Sequence, residues 1–343
     1  MNRDYPLTKL LPTQEHMTKY DAVNLEHVCH SCAQNKNLLI GPETLEDASV
    51  YQLNENEALV QTQELLAPMV DNPYSYGKIA AAHSLSSLFS MGATVKTAMS
   101  TLGYNASIND KALHNEILKG GDEKIKECGG VSMAYGSINS SSLMYGLSVL
   151  GTLHPKNIYK NNTAKIGHVL VLTKPLGMGI LTSAIKKDLL DSNTIKEATH
   201  IMESLNYLPS QIMKKYDVSA CTTVSYQGLL GHALASTTPF TSYNIHCGEV
   251  PVAPLAQELA DQDVIPIETM QNMDYIDEHL TIMCNTSKCK LIYCDTQISG
   301  GLLIAMNKED AKEYIKEIEE LTFGYARIIG EVIPRGISAL IVY

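Results

Sequence analysis

ALVQTQELLAPMVDNPYSYGKIAAAHSLSSLFSMG, residues 58–92, reads as strand, turn and helix. Ala58 to Gln63 is a short β-favouring run. Asp71-Asn72-Pro73 is turn chemistry, with φ fixed at the proline. The helix that follows, residues 74–91, sets Ile79, Ala82, Leu85, Leu88 and Phe89 on an apolar side at helical spacing. His83 and Ser87 stand four apart and share a face. A histidine beside a serine is usually a hydrogen-bonded core or rim residue, and no acid lies nearby in sequence to complete a triad. A strand end meeting a helix face is a place where side chains from different elements converge on rigid supports.

The hairpin before this helix extends the reading. Ala48 to Leu53 alternates as a strand, Asn54-Glu55-Asn56-Glu57 is a polar loop, and Ala58 to Gln63 returns. Asp47 stands at the start of one strand and Glu64 at the end of the other. A tight antiparallel pairing sets them facing, and two such carboxylates share a divalent cation. The alternative is two solvated acids flanking a hairpin.

Composition bounds the class. The 343 residues suffice for two domains, and 45% apolar with 18% charged residues describes a globular chain. Eighteen Tyr against three Phe and no Trp make the aromatic content amphipathic. A net charge of -11 argues against nucleic acid and anionic membranes as partners. No run approaches the length of a membrane span and the first twenty residues lack a secretory core, so the expected setting is cytoplasmic. Eight scattered cysteines are expected as reduced thiols rather than a disulfide scaffold.

The segment HVCHSC places His27, Cys29, His30 and Cys32 within six positions. Cys29 and Cys32 form a Cys-x-x-Cys pair suited to half a zinc site or a redox couple. Cys284, Cys289 and Cys294 are distant and irregularly spaced, so zinc is not expected. Further along, Val95–Gly103 reads as a strand, and Ser107–Asp110 caps a helix carrying Leu113, Ile117 and Leu118 inward. Gly130–Ala134 and Met144–Leu153 read as strands. His154–Gly167 is a polar connection suited to a domain boundary. The strand HVLVLT then enters KPLGMG, where Gly177 and Gly179 open a helix with a place for an anion at its N-terminus. Thr194–Glu197 has the form of a capping box. Ser219–Val224 reads as a strand, LIYCDTQISGGLLIAM as strand, turn and strand, and Asn307–Leu321 as a charged amphipathic helix; YARIIGEVI and ISALIVY read as closing strands.

Five phrases in order, LLIGPETLEDASVY, LVQTQELLAPMVDNPYSYGKIAAAHSLSSLFSMGA, VLVLTKPLGMGILTSAIK, GLLGHAL and CDTQISGGLL, resemble the selenophosphate synthetase (selenide, water dikinase) family. That family sits within the aminoimidazole ribonucleotide synthetase-like superfamily. The resemblance runs from about Leu38 to Tyr343 and implies a two-domain α/β (α+β) fold. The implied parts are a divergent arm over residues 1–36, an N-terminal ATP-binding and dimer-forming domain over 37–154, and a C-terminal α+β domain over 155–343. It also implies a homodimer that binds ATP with Mg2+ and turns ATP, selenide and water into selenophosphate, AMP and phosphate.

The family's site residues carry over unevenly. The aspartate of its D-A-A-V element matches Asp47, and that of T-T-D falls on Glu64. The pattern N-x-x-S-D falls on His83, Ser86 and Ser87, losing both amide and acid. G-G-H-S falls on Ala134, Tyr135, Gly136 and Ser137, and Asn139 nearby counts as a further altered position. The aspartate of T-D-V-T-G-F-G falls on Thr223, with its glycine and phenylalanine on Tyr226 and Gln227. The family's reactive cysteine and the lysine three residues on have no clean match, because Lys36 follows Cys32 by four and the interval to Asp47 is too short for the family's helix. Hydroxyls replace two carboxylates where hard dications need charge. The expectation is a lapsed family member with residual nucleotide and Mg2+ binding through Asp47, Glu64, Gly177 and Gly179. The alternatives are an active phosphotransferase with a rearranged site, and a thiol or metal module built on Cys29 and Cys32.

Overall fold

The computed structural model describes residues 7–9, 35–42, 44–105, 110–284 and 287–343. His27, Cys29, His30 and Cys32 lie outside the described residues. Two compact units emerge: residues 1–158 with 202–205, and residues 159–201 with 206–343.

The first unit is built on six strands: β1 (Leu38–Ile40), β2 (Ser49–Gln52), β3 (Ala58–Leu66), β4 (Thr94–Tyr104), β5 (Val131–Asn139) and β6 (Met144–Leu153), in sheet order β1-β2-β3-β6-β4-β5. The hairpin forms as expected, β2 against β3 with Ser49 opposite Gln61, but β3 runs on three residues past Gln63. Its alternation continues through buried Glu64 and Leu66, and β6 pairs with its full length from Ala58 to Leu66. The register corrects one expectation. Carried on from Ser49 it sets Asp47 level with Gln63, and Glu64 pairs with Leu147 of β6 instead.

Helix α1 (Pro73–Ser90) starts where the turn chemistry requires. Asn72 accepts from the Ser75 amide and proline stands in the first turn, where its missing N–H costs nothing. Tyr76, Ile79, Ala80–Ala82, Leu85, Leu88 and Phe89 are fully buried. The helix is therefore enclosed rather than amphipathic, covered by the sheet on one side and by α2 (Lys111–Glu127) on another. Asp110 caps α2 by accepting from the Ala112 and Leu113 amides. Residues 7–9 are a short turn of helix in which Leu7 is buried and Thr8 donates through its amide and hydroxyl to Asp71 Oδ1.

The second unit carries seven strands: β7 (Val169–Leu172), β8 (Val218–Thr223), β9 (Thr241–Ile245), β10 (Leu280–Ile282), β11 (Leu302–Met306), β12 (Arg327–Pro334) and β13 (Leu340–Val342), ordered β10-β13-β9-β12-β7-β11-β8. The helices of this part of the chain are α3 (Met178–Lys186), α4 (Ser192–Glu203, whose last two residues fall in the first unit), α5 (Tyr207–Met213), α6 (Gly228–Ser236), α7 (Ala256–Asp261), α8 (Ile267–Ile276), α9 (Ser287–Tyr293) and α10 (Lys308–Ile318). A core of Val171, Met213, Leu302, Ile304, Met306 and Tyr314 joins strands to α5 and α10.

Two local expectations change. The cap of α4 is Asp191, which accepts from the Asn193 and Thr194 amides and the Thr194 hydroxyl, so Thr194 lies inside the helix. Leu291–Tyr293 ends helix α9 rather than forming a strand. A three-residue apolar run has no period of its own, and here it continues the helical turn before it.

Candidate functional site

In the first unit the surviving acids are both withdrawn from solvent: Asp47 is 6% exposed and Glu64 5%. On α1, His83, Ser87 and Ser90 recur at helical spacing, so one stripe carries all three. His83 and Ser87 are both buried. Ser90 Oγ donates to Asp47 Oδ2, which docks the end of that stripe on the retained aspartate. Ser90 escaped the sequence reading because the contact depends on a bend before β2 that leaves no spacing signal.

The other altered positions are placed separately. Tyr135 stands on β5, 55% exposed, with its hydroxyl 3.4 Å from Asp122. Gly136 and Asn139 follow on the same strand, and both are exposed. Lys36 lies in an exposed turn leading into β1. In the second unit Thr223 closes β8, buried, opposite Leu302 of β11. The Tyr226 carbonyl accepts from Asn272 Nδ2 at 2.7 Å and from Thr296 Oγ1 at 2.6 Å, and Gln227 precedes α6.

The Gly177–Gly179 turn already has an acceptor, and the chain supplies it. Asp295 Oδ2 accepts from the Gly179 and Ile180 amides at 3.1 and 3.3 Å, and Gln297 Oε1 accepts from the Met178 amide at 3.3 Å. The first turn of α3 is thereby capped from within. Gly177 adopts φ of 106°, and a Cβ on Gly179 would stand 2.3 Å from the Thr296 carbonyl oxygen, so both glycines serve this closure. Asp295 also accepts from Thr269 Oγ1 and Gln297 Nε2. Full burial nevertheless raises its pKa to about 7 against the pull of those donors.

The donor set bears on metal. Magnesium is held by one or two carboxylates plus substrate phosphates, and the acids kept at the family positions are Asp47 and Glu64. Ser87 in the first unit and Thr223 in the second each carry a hydroxyl, which brings no formal charge. Among the described residues, the group of three or more His, Cys, Asp or Glu ligand atoms within 4.8 Å of one another is Cys247, Cys284 and Cys289, not a carboxylate cluster.

Comparison with known proteins defines the class first. Residues 45–153 match the family model of the AIR synthase related protein N-terminal domain, and residues 165–343 that of the C-terminal domain. The fold is also that of the structure of AaThiL complexed with AMPPCP and TMP, with a TM-score of 0.63 at 12% identity over 96% of each chain. Among sequences, a selenide, water dikinase of Aliarcobacter butzleri is 51% identical over the whole of both chains. One of Campylobacter jejuni is 39% identical over 87% of this chain and 86% of its own. The chain belongs to the selenide, water dikinase family of AIR synthase related proteins.

Proposed function

We propose that this chain is a family member whose selenide, water dikinase chemistry has lapsed while a weakened nucleotide site with one magnesium ion remains. The observation that carries the reading is the helix stripe itself. Where the family pattern sets an amide and an acid, this chain has His83 and Ser87, both buried, on the helix whose Ser90 donates to Asp47. Phosphoryl transfer is mostly positioning and neutralisation of charge, and a site short of two acids does both less well. The test is incubation of the purified protein with Mg-ATP and selenide, following AMP release and the phosphorus resonance of selenophosphate. The expected result is neither product above a protein-free control; selenide-dependent AMP formation overturns it.

The retained Asp47 and Glu64, and the 51% identity to a relative named selenide, water dikinase, favour a second reading. In it, the protein is an active ATP-dependent phosphotransferase with a rearranged site. Titration calorimetry with Mg-ATP separates the two, since an active enzyme binds well below millimolar nucleotide. We place the protein in the cytoplasm as a homodimer; among the described residues no helix is long and apolar enough to cross a membrane.

A further inference from the structure

β10, β13 and β9 run parallel at one end of the second sheet, and their register is in phase: Ile282 pairs with Val342, and Val342 with Ile245. Two residues past each outer partner stands a cysteine, Cys284 after β10 and Cys247 after β9. The strand ends are tied at this level, because the Met283 amide donates to the Val342 carbonyl at 2.7 Å and the Cys247 amide to the Tyr343 carbonyl at 2.9 Å. Parallel strands in phase deliver equivalent positions to the same height, so the two thiols arrive together. The third comes from α9, which carries Cys289. Tyr293 of that helix donates from its hydroxyl to the Cys247 carbonyl at 2.7 Å, and Lys290 pairs with Asp277, fixing the helix over the strand ends. The three sulfurs lie within 4.8 Å of one another, each half-buried, and all three cysteines are reduced.

Three sulfurs around one tetrahedral cation, at about 2.3 Å each, stand roughly 3.8 Å apart, so closing on a metal asks no more than about an ångström of movement. Cys284 sits in a loop and can supply it. Cys294, the remaining cysteine of this region, is buried elsewhere, with its carbonyl bonded to Asn272 Nδ2. Thiolates select soft or borderline cations such as zinc over magnesium.

We propose that Cys247, Cys284 and Cys289 form a binding site for a thiophilic divalent cation, with zinc as its reference ligand and water in the fourth position. Each thiol yields its proton to solvent as its sulfur coordinates. The site staples α9 and the β10 end to β9, and its three ligands all belong to the second unit, whereas Asp47 and Glu64 belong to the first.

Cobalt(II) is the probe, added to reduced full-length protein freed of metal with a chelator. The expected result is one equivalent bound with a thiolate-to-cobalt charge-transfer band that zinc displaces. Cys247→Ser, Cys284→Ser and Cys289→Ser are each expected to weaken binding at least about tenfold, and the Cys29→Ser/Cys32→Ser pair to leave it unchanged. Absence of the band, or its loss in the Cys29/Cys32 pair with retention in Cys284→Ser, overturns the site. Should a serine variant misfold, iodoacetamide footprinting of the wild type decides. Zinc is expected to slow labelling of Cys247, Cys284 and Cys289 by at least about tenfold; equal labelling with and without zinc, or a disulfide among the three in place of metal, overturns it.

Discussion

Asp295 shows how one side chain can settle a local structure and leave a signature in pH. Its carboxylate is sealed among the α3 amides, Thr269 and Gln297, and burial lifts its pKa from 3.8 to about 7. The folded state therefore holds this proton between about pH 4 and 7 while the unfolded chain releases it. Stability from this group is highest below pH 4, falls as pH rises through that window, and levels off above 7. Asp295→Asn removes the ionisation, so the loss of stability from pH 5 to pH 8 in urea denaturation is expected to shrink relative to wild type. An unchanged difference would sink this account. At the same scale, Ser87→Asp with Thr223→Asp returns two acids to the family positions. The expected outcome is magnesium-dependent nucleotide binding that tightens at least about tenfold, read by calorimetry with and without EDTA. No gain would locate the defect elsewhere, as at Tyr226 or in the segment before β1. Asp47 and Glu64 were legible as acids at a hairpin because strands have a fixed period. Asp295 was not legible as an anion for α3, since nothing in CDTQISGG says that it folds back 116 residues to reach Gly179.

Among the elements, α1 and α2 show what an enclosed helix pair requires. Their backbones approach until a Cβ on Gly120 would lie 2.1 Å from the Tyr74 carbonyl oxygen, and one on Gly77 2.0 Å from that of Ile117. Backbone atoms have no rotamer with which to yield, so Gly120→Ala must push the helices apart. The expected cost is about 1–3 kcal/mol, in the range for overpacked cores. It should appear in denaturant titration as a lower midpoint with unchanged m-value; a midpoint equal to wild type would show that the crossing is looser than this. The strand, turn and helix of residues 58–92 were readable because Asn72-Pro73 and the apolar spacing agree with one another. The tightness of the crossing was not, since it depends on which face of α2 meets α1. The three cysteines escaped for a similar reason. Cys247, Cys284 and Cys289 have no metal-site spacing in sequence and meet only through the register of β9, β13 and β10.

For the molecule as a whole, the ordered phrases from Leu38 to Tyr343 carried the two-domain fold, which both family models match. The proposed homodimer is argued from one edge of the first sheet. β5 is terminal in strand order, and Val131, Met133, Tyr135 and Ile138 on it are all more than half exposed. Its sequence, VSMAYGSIN, contains neither charge nor proline, the usual guards of a bare edge. An unguarded apolar strand is stable in solution when covered, and a second copy of the chain presents a self-complementary surface about a twofold axis. We therefore expect sedimentation equilibrium to give twice the chain mass at micromolar concentration. Met133→Glu with Ile138→Glu should shift it to the monomer without loss of helical circular dichroism, because neither side chain belongs to a core. A wild-type monomer would remove the homodimer, and a double variant that stays dimeric would place the interface on another face.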